Sequence, residues 1–443
     1  MIKPVPIPAE LFQQNRERLR QLLPPRSLAV LNANDVMPGN ADATLGFVQN
    51  ADLFYLSGIL QEETILLLAP DASNPRHREI LFLRRPDDHT RIWEGEKLSR
   101  EEARRISGIQ EVRWLDEFPV VFRQLMCEME FVYLNSNEHY RAMPQVETRD
   151  ERFIRQCQRQ YPLHQYRRLA PLMHRLRTVK SPLEVDLIRR ACRITGEAFR
   201  QVLPCVRPGV NEAEVEAEFA RAFLRQRATF AYPPIIASGP NNCVLHYTRN
   251  DRECRAGELL LLDVAANYGG YNSDLTRTVP VSGTFTRRQR EVYEAVLRVF
   301  RQMLPRMVPG KTLDQLREEA EQLIAEECKK LGLLGRSTRR RTDSDESPVR
   351  AFFMHGVAHP IGLDVHDVLQ PGQKIAAGWV MTCEPAIYIR GEGFGIRLEN
   401  TVLITEHGAE DLMEDIPIEP EAIEALMRPR QSGKRSRRVL STG

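Results

Sequence analysis

Two short apolar runs each carry an acidic residue where a strand should be wholly buried, and each has an acidic counterpart in the segment that follows it. Asp263 lies in Leu259-Leu-Leu-Leu-Asp-Val-Ala265, and Asp274 in Tyr271-Asn-Ser-Asp-Leu-Thr-Arg-Thr-Val-Pro-Val281. A hairpin centred between Tyr268 and Gly269 places position 263 opposite position 274. The arithmetic works a second time. Glu384 lies in Val380-Met-Thr-Cys-Glu-Pro-Ala-Ile-Tyr388 and Glu399 in Gly395-Ile-Arg-Leu-Glu-Asn-Thr-Val-Leu403, so a hairpin centred between Gly391 and Glu392 sets them face to face. Acidic residues are depleted from strands, and like charges directly opposite one another repel. Two such pairs need positive charge between them, and a pair of divalent metal ions supplies it.

Bulk properties exclude several classes. The chain has 443 residues, enough for two or three domains with cores of their own. Its formal net charge is only +2, which argues against a nucleic-acid reader driven by a large positive field. No stretch reaches the roughly 18 consecutive apolar residues of a membrane span, and the N-terminal Met1-Ile-Lys-Pro-Val-Pro-Ile-Pro8 lacks the apolar region of a signal peptide. Eight cysteines form no CxxC pair, so neither a zinc cluster nor a disulfide framework is indicated, and a reducing cytoplasmic setting is expected.

The first ~170 residues alternate strand-like runs (Ser27–Asn34, Thr64–Ala69, Glu79–Leu83, Phe131–Asn135) with amphipathic segments (Ala9–Leu23, Arg100–Ile106), the pattern of an α/β domain. A helix start follows at Ser181-Pro-Leu-Glu184, where serine can cap, proline suits the first position and glutamate completes a capping box. The domain boundary is set just before it, giving an N-terminal domain over residues 1–174 and a second domain over 175–430. The second domain carries a faint repeat. Leu203-Pro-Cys-Val-Arg-Pro-Gly209 resembles Leu304-Pro-Arg-Met-Val-Pro-Gly310, each follows a helical stretch, and each precedes a new helix start, Asn211…Glu214 or Thr312…Gln315. Each half ends in an acidic hairpin, so a pseudo-twofold axis would bring both pairs to one centre. Gly335–Arg350, with blocks of like charge, reads as a mobile loop, and residues 431–443 as a basic, disordered tail.

One segment is rich in histidine, His355-Gly-Val-Ala-His-Pro-Ile-Gly-Leu-Asp-Val-His366. Its first two histidines have the spacing of an HExxH zinc helix, but Gly356 stands where the glutamate belongs and Pro360 breaks a helix. A single-zinc protease is therefore rejected. His246 lies in a separate segment, Asn241-Asn-Cys-Val-Leu-His-Tyr247. Four carboxylates with an imidazole make a set rich in hard oxygen donors, suited to Mn²⁺, Co²⁺, Fe²⁺ or Mg²⁺. Two such ions can generate a hydroxide at neutral pH and polarise a carbonyl.

At these residues the chain resembles the aminopeptidase P family of pita-bread metallopeptidases. The matching strings are Leu262-Asp-Val-Ala265, Asp274-Leu-Thr-Arg-Thr278, His355-Gly-Val-Ala-His359, Cys383-Glu-Pro385 and Gly395-Ile-Arg-Leu-Glu399, with Arg177-Thr-Val-Lys-Ser-Pro182 and Asp52-Leu-Phe-Tyr-Leu-Ser-Gly58 further upstream. The resemblance implies an α/β N-terminal domain followed by an α+β pita-bread catalytic domain with an internal pseudo-twofold repeat. It implies a hydrolase that cleaves the N-terminal Xaa-Pro bond with a hydroxide bridging two divalent ions, most often Mn²⁺. Asp263, Asp274, His359, Glu384 and Glu399 are the implied ligands, with Asp274 and Glu399 touching both ions. Glu384 is also implied as proton shuttle, His366 as donor to the scissile carbonyl, and His246 as a residue that places the peptide. His355, Tyr388 and Arg397 would form the proline pocket.

Peptides with proline in second position are the implied partners, with no nucleic acid and no membrane. The protein would be a cytoplasmic homo-oligomer, a dimer or tetramer, in which Trp93 reaches a neighbouring site or simply lies in the interface. Departures from the family pattern are Ala386 after Glu-Pro, Pro360 after the ligand histidine, and a short link from Asp367 to Gly378. A prolidase restricted to dipeptides is the nearest alternative. A pita-bread domain retired into binding is a more distant one, and the full set of five ligands argues against it.

Overall fold

The structure, a computed structural model, describes residues 3–335 and 347–428. Most of the charged 335–350 segment and the whole 431–443 tail therefore lie outside the described residues.

The N-terminal half is built on a six-stranded sheet in the order β4-β3-β2-β1-β5-β6, with β1 Ser27–Asn32, β2 Ile65–Leu68, β3 Glu79–Leu83, β4 Glu111–Trp114, β5 Phe131–Leu134 and β6 Gln165–Arg168. The strands at its centre read as unbroken apolar runs because both faces are covered. Along β1, Ala29 and Leu31 enter one core with Leu19, Leu53 and Met173, while Leu28 and Val30 enter the opposite core with Val121, Leu125 and Cys157. The helices Ala9–Arg20 and Ala170–Thr178 cover the first face, and Phe118–Glu128 and Arg149–Gln160 the second. The strands end one or two residues short of the sequence-based bounds, except β3, which matches them.

The second half repeats one plan twice. Helix Pro182–Val202 leads through a 3₁₀ turn and Gly209 to helix Glu212–Arg225, and helix Arg287–Met303 leads likewise through Gly310 to helix Leu313–Lys330. Both glycines hold φ near +90°, at 85° and 92°, a conformation costly for any side chain. Capping boxes form at Ser181–Glu184, Asn211–Glu214 and Thr312–Gln315, as the sequence indicates. The strands that follow are β7 Thr229–Phe230, β8 Ile235–Ser238, β9 Leu259–Asp263, β10 Ala266–Tyr268, β11 Tyr271–Asn272 and β12 Thr276–Pro280. In the second repeat they are β13 Val380–Cys383, β14 Ala386–Ile389, β15 Phe394–Arg397, β16 Asn400–Thr405 and β17 Gly408–Asp411. This is the α/β plus pita-bread architecture expected from the resemblance. Among the described residues no helix is long and apolar enough to cross a membrane.

The register of the first hairpin corrects the sequence reading. Tyr268 pairs with Tyr271 and Asp263 pairs with Thr276, not with Asp274. The turn is the two-residue Gly269-Gly270, both with positive φ (60° and 92°), so the centre lies one residue further along than expected. Asp274 is thus the diagonal neighbour of Asp263, two residues from its partner and on the same face. In the second hairpin Cys383 pairs with Asn400 and Ala386 with Arg397, a register that sets Glu384 opposite Glu399 as expected.

Candidate metal centre

The two hairpins meet along a single seam. Thr276 and Glu399 exchange backbone hydrogen bonds of 3.4 and 3.1 Å. On one side of that bridge the Thr401 hydroxyl donates to the Asp274 carbonyl (3.0 Å) and accepts from the Asp274 N–H (2.9 Å). On the other side Thr278 hydroxyl and Arg397 backbone are paired in the same way. The buried Arg277 guanidinium fastens the seam by donating to the carbonyls of Glu399 (2.9 Å) and Pro417 (2.9 Å). Register, threonine ties and Arg277 together deliver one carboxylate from each repeat to a common centre.

There Asp274, His359 and Glu399 offer ligand atoms that all lie within 4.8 Å of one another. His359 Nε2 stands 3.5 Å from Asp274 Oδ2 and 3.6 Å from Glu384 Oε1. Its Nδ1 lies 2.9 Å from the Pro360 carbonyl, which can only accept, so Nδ1 carries a proton and Nε2 is the ring atom turned toward the carboxylates. An Nε2 so placed among carboxylate oxygens is positioned to act as a ligand atom for a cation set between them.

The Tyr232 hydroxyl makes the same point. It is 2.6 Å from both Asp263 Oδ1 and Asp274 Oδ1, and one hydroxyl proton cannot satisfy two ionised carboxylates. Burial, and then the charge of Asp263, raises the Asp274 pKa. Burial followed by the neighbouring carboxylates raises those of Glu399 and Glu384 well above the usual range. Neutralising this cluster by protons alone would suppress its donor chemistry. Divalent cations fit the oxygen-rich set better, and the residues present are those such ions need.

The remaining residues singled out from sequence line the same cavity, of about 400 Å³, except Trp93 and Tyr388, the latter buried beneath it. The Tyr388 hydroxyl joins His355 Nε2 (3.0 Å) to Arg397, which donates to it at 2.8 Å. Arg397 also donates to Thr276 Oγ1 (3.0 Å) and to Asp263, so each of its three guanidinium nitrogens has a partner. His366 packs edge-on against His359 with ring centroids 4.4 Å apart. Burial lowers the pKa of His355 and of His366 to about 3, which leaves each a neutral imidazole with one N–H. His246 lines the outer wall. Trp93 lies elsewhere, 75% exposed on the helix Asp88–Glu94, and does not line the cavity of its own chain.

Sequence reasoning missed Tyr232, Thr276 and Thr382. Thr276 Oγ1 donates to Glu399 at 2.6 Å, and Thr382 Oγ1 is 3.3 Å from Glu384 and accepts from the His359 N–H at 3.0 Å. The threonines lie two residues from Asp274 and Glu384 on strands, where same-face neighbours alternate, and that spacing was the available signal. Tyr232 precedes two prolines and carries no local signature.

The match to known proteins agrees with this geometry. Residues 186–406 match the family model of metallopeptidase family M24, and residues 12–133 that of the aminopeptidase P N-terminal domain. The chain belongs to the M24 metallopeptidases and is a hydrolase. Within them it falls in the aminopeptidase P group. It is 34% identical to the Xaa-Pro aminopeptidase of Escherichia coli K12 over 94% of this chain and 97% of that protein. To the Xaa-Pro aminopeptidase of Haemophilus influenzae it is 31% identical over 95% and 98%. The low-pH structure of E. coli aminopeptidase P superposes with a TM-score of 0.85 at 32% identity, covering 96% of this chain and 99% of that one.

Proposed function

We propose that the protein is an Xaa-Pro aminopeptidase that removes the N-terminal residue ahead of proline. The observation that carries this reading is the convergence of Asp274, His359 and Glu399, one carboxylate from each repeat, beside a histidine–tyrosine–arginine pocket. Asp263, Asp274, His359, Glu384 and Glu399 would hold two divalent ions, Mn²⁺ first, with Asp274 and Glu399 shared between them. When bound, the ions supply a hydroxide nucleophile at neutral pH and polarise the attacked carbonyl.

The chain's own groups do the rest. Asp263 receives the substrate α-amine. The neutral His366 donates its N–H to the scissile carbonyl oxygen and to the oxyanion that develops there, a role typically worth 10²–10³-fold in rate. Glu384 accepts the proton of the attacking water and returns it to the proline nitrogen as the C–N bond breaks, leaving a free amino acid and a peptide that begins with proline. The Xaa-Pro bond is a tertiary amide whose nitrogen has no hydrogen to offer, and its ring fixes the chain. A pocket walled by His355, above Tyr388 and Arg397, suits that flat ring, and His246 steadies the peptide at the outer wall.

In this reading residues 1–174 form the domain that restricts access, residues 175–430 the catalytic domain, and 431–443 a tail. The protein acts in the cytoplasm as a homo-oligomer, with Trp93 at or near a subunit contact. The test is hydrolysis of Xaa-Pro against Xaa-Pro-Yaa with Mn²⁺ present. Release of Xaa from the tripeptide supports the proposal. Cleavage of the dipeptide alone would make the protein a prolidase.

A further inference from the structure

The active-site cavity has a second arginine, one with no carboxylate partner among the described residues. Arg141 belongs to the segment between β5 and the helix Arg149–Gln160, in the N-terminal half, yet it lines the cavity that holds the carboxylates. It also lines an adjoining polar cavity of about 440 Å³ that shares His366. Its backbone N–H donates to His139 Nδ1 at 3.2 Å, and its guanidinium lies 5.4 Å over the Tyr140 ring. Among the described residues no carboxylate pairs with it. Among the described residues Arg397 is the only other Lys or Arg side chain lining the cavity, and it is held by Asp263, Tyr388 and Thr276.

The cavity is therefore polarised. Its inner end holds four carboxylates that attract an α-amine. Its mouth carries the exposed Arg141 guanidinium, which lines both this cavity and the adjoining one together with His366. A peptide with its amine at the carboxylates and its scissile carbonyl at His366 runs outward with its C-terminal end toward Arg141. A planar fork of N–H donors stacked on a tyrosine suits a carboxylate taken bidentately.

We infer that Arg141 is a specificity-determining residue that receives the terminal α-carboxylate of a short Xaa-Pro-Yaa substrate. The inference rests on the Xaa-Pro aminopeptidase reading and adds a preference for short peptides with a free C-terminus. The N-terminal half thus selects substrate as well as restricting entry.

The test compares one tripeptide as its free acid and as its C-terminal amide, in the Mn²⁺-loaded protein and in Arg141→Ala and Arg141→Lys. The free acid should have a KM about tenfold below that of the amide in the wild-type protein, of the order expected for one charge-assisted bidentate contact. Arg141→Ala should raise KM for the acid by about tenfold and leave the amide and both kcat values unchanged. Arg141→Lys should restore part of the difference. Equal KM for acid and amide in the wild-type protein, or a change in Arg141→Ala that affects both alike, overturns the inference while leaving the peptidase reading intact. Failure of the wild-type protein to cleave either peptide overturns that reading, and the inference with it.

Discussion

Arg177, in the helix Ala170–Thr178 that joins the two halves, donates a 2.6 Å hydrogen bond to Asp367, the residue that directly follows His366. The same guanidinium donates to Asp52 of the N-terminal half (2.9 Å) and to Asp364 (2.6 Å), while Lys180 Nζ reaches the other oxygen of Asp367 at 3.0 Å. Arg177 is 4% exposed and Asp367 1%, so these charges depend on one another rather than on water.

Removing one partner of such a buried group leaves the others uncompensated, which typically costs about 3–5 kcal/mol. Arg177→Met should therefore lower unfolding stability by that order in denaturant titrations. Because Asp367 anchors the segment that carries His366, the folded fraction should also lose kcat more than it gains KM, with its metal content retained. Unchanged stability together with unchanged kcat would show that the ties are incidental.

Tyr232 orients Asp263 and Asp274 together. Partners that orient metal ligands commonly contribute tenfold or more in affinity. Tyr232→Phe should weaken Mn²⁺ binding by about tenfold, measured by competition with a chelator of known affinity, without altering the fold seen by circular dichroism. Undiminished affinity would remove Tyr232 from the centre's support.

Asp150 offers a pH test away from the metal centre. Burial, opposed in part by a 2.8 Å bond from Asn32, raises its carboxyl pKa to about 7. The folded state therefore keeps a proton that the unfolded chain releases near pH 3.8. The contribution to stability is full below about pH 4 and is lost as pH rises through about 7. Asp150→Asn removes that titration while retaining an acceptor for Asn32. The urea midpoint of the variant should gain on that of the wild-type protein between pH 5 and pH 8. A gap that stays constant or narrows would contradict the shift.

Much of the site was legible in the sequence because its demands are local. Asp263 at the end of a leucine run, Glu384 before a proline and the histidine segment stand out against strand and helix patterns, and the capping boxes mark both repeats. The first register was misplaced by the one-residue difference between a turn at Tyr268-Gly269 and a turn at Gly269-Gly270. The Gly-Gly pair, which accepts positive φ at both positions, was the cue. Tyr232, Arg177 and Arg141 were not legible as site residues. Each acts across a contact between segments tens of residues apart or more: Tyr232 reaches Asp263 and Asp274 within the second half, and Arg177 and Arg141 meet the site only after the two halves have packed.

The most direct test is the Mn²⁺ count per chain, by native mass spectrometry, for the reloaded wild-type protein, Asp274→Ala and Glu399→Ala. Two ions per chain in the wild-type protein, with both ions and Xaa-Pro-Yaa hydrolysis lost together in each variant, is the expected result. Full occupancy in either variant, or undiminished hydrolysis by a wild-type protein stripped of metal, would contradict a centre shared by one carboxylate from each repeat.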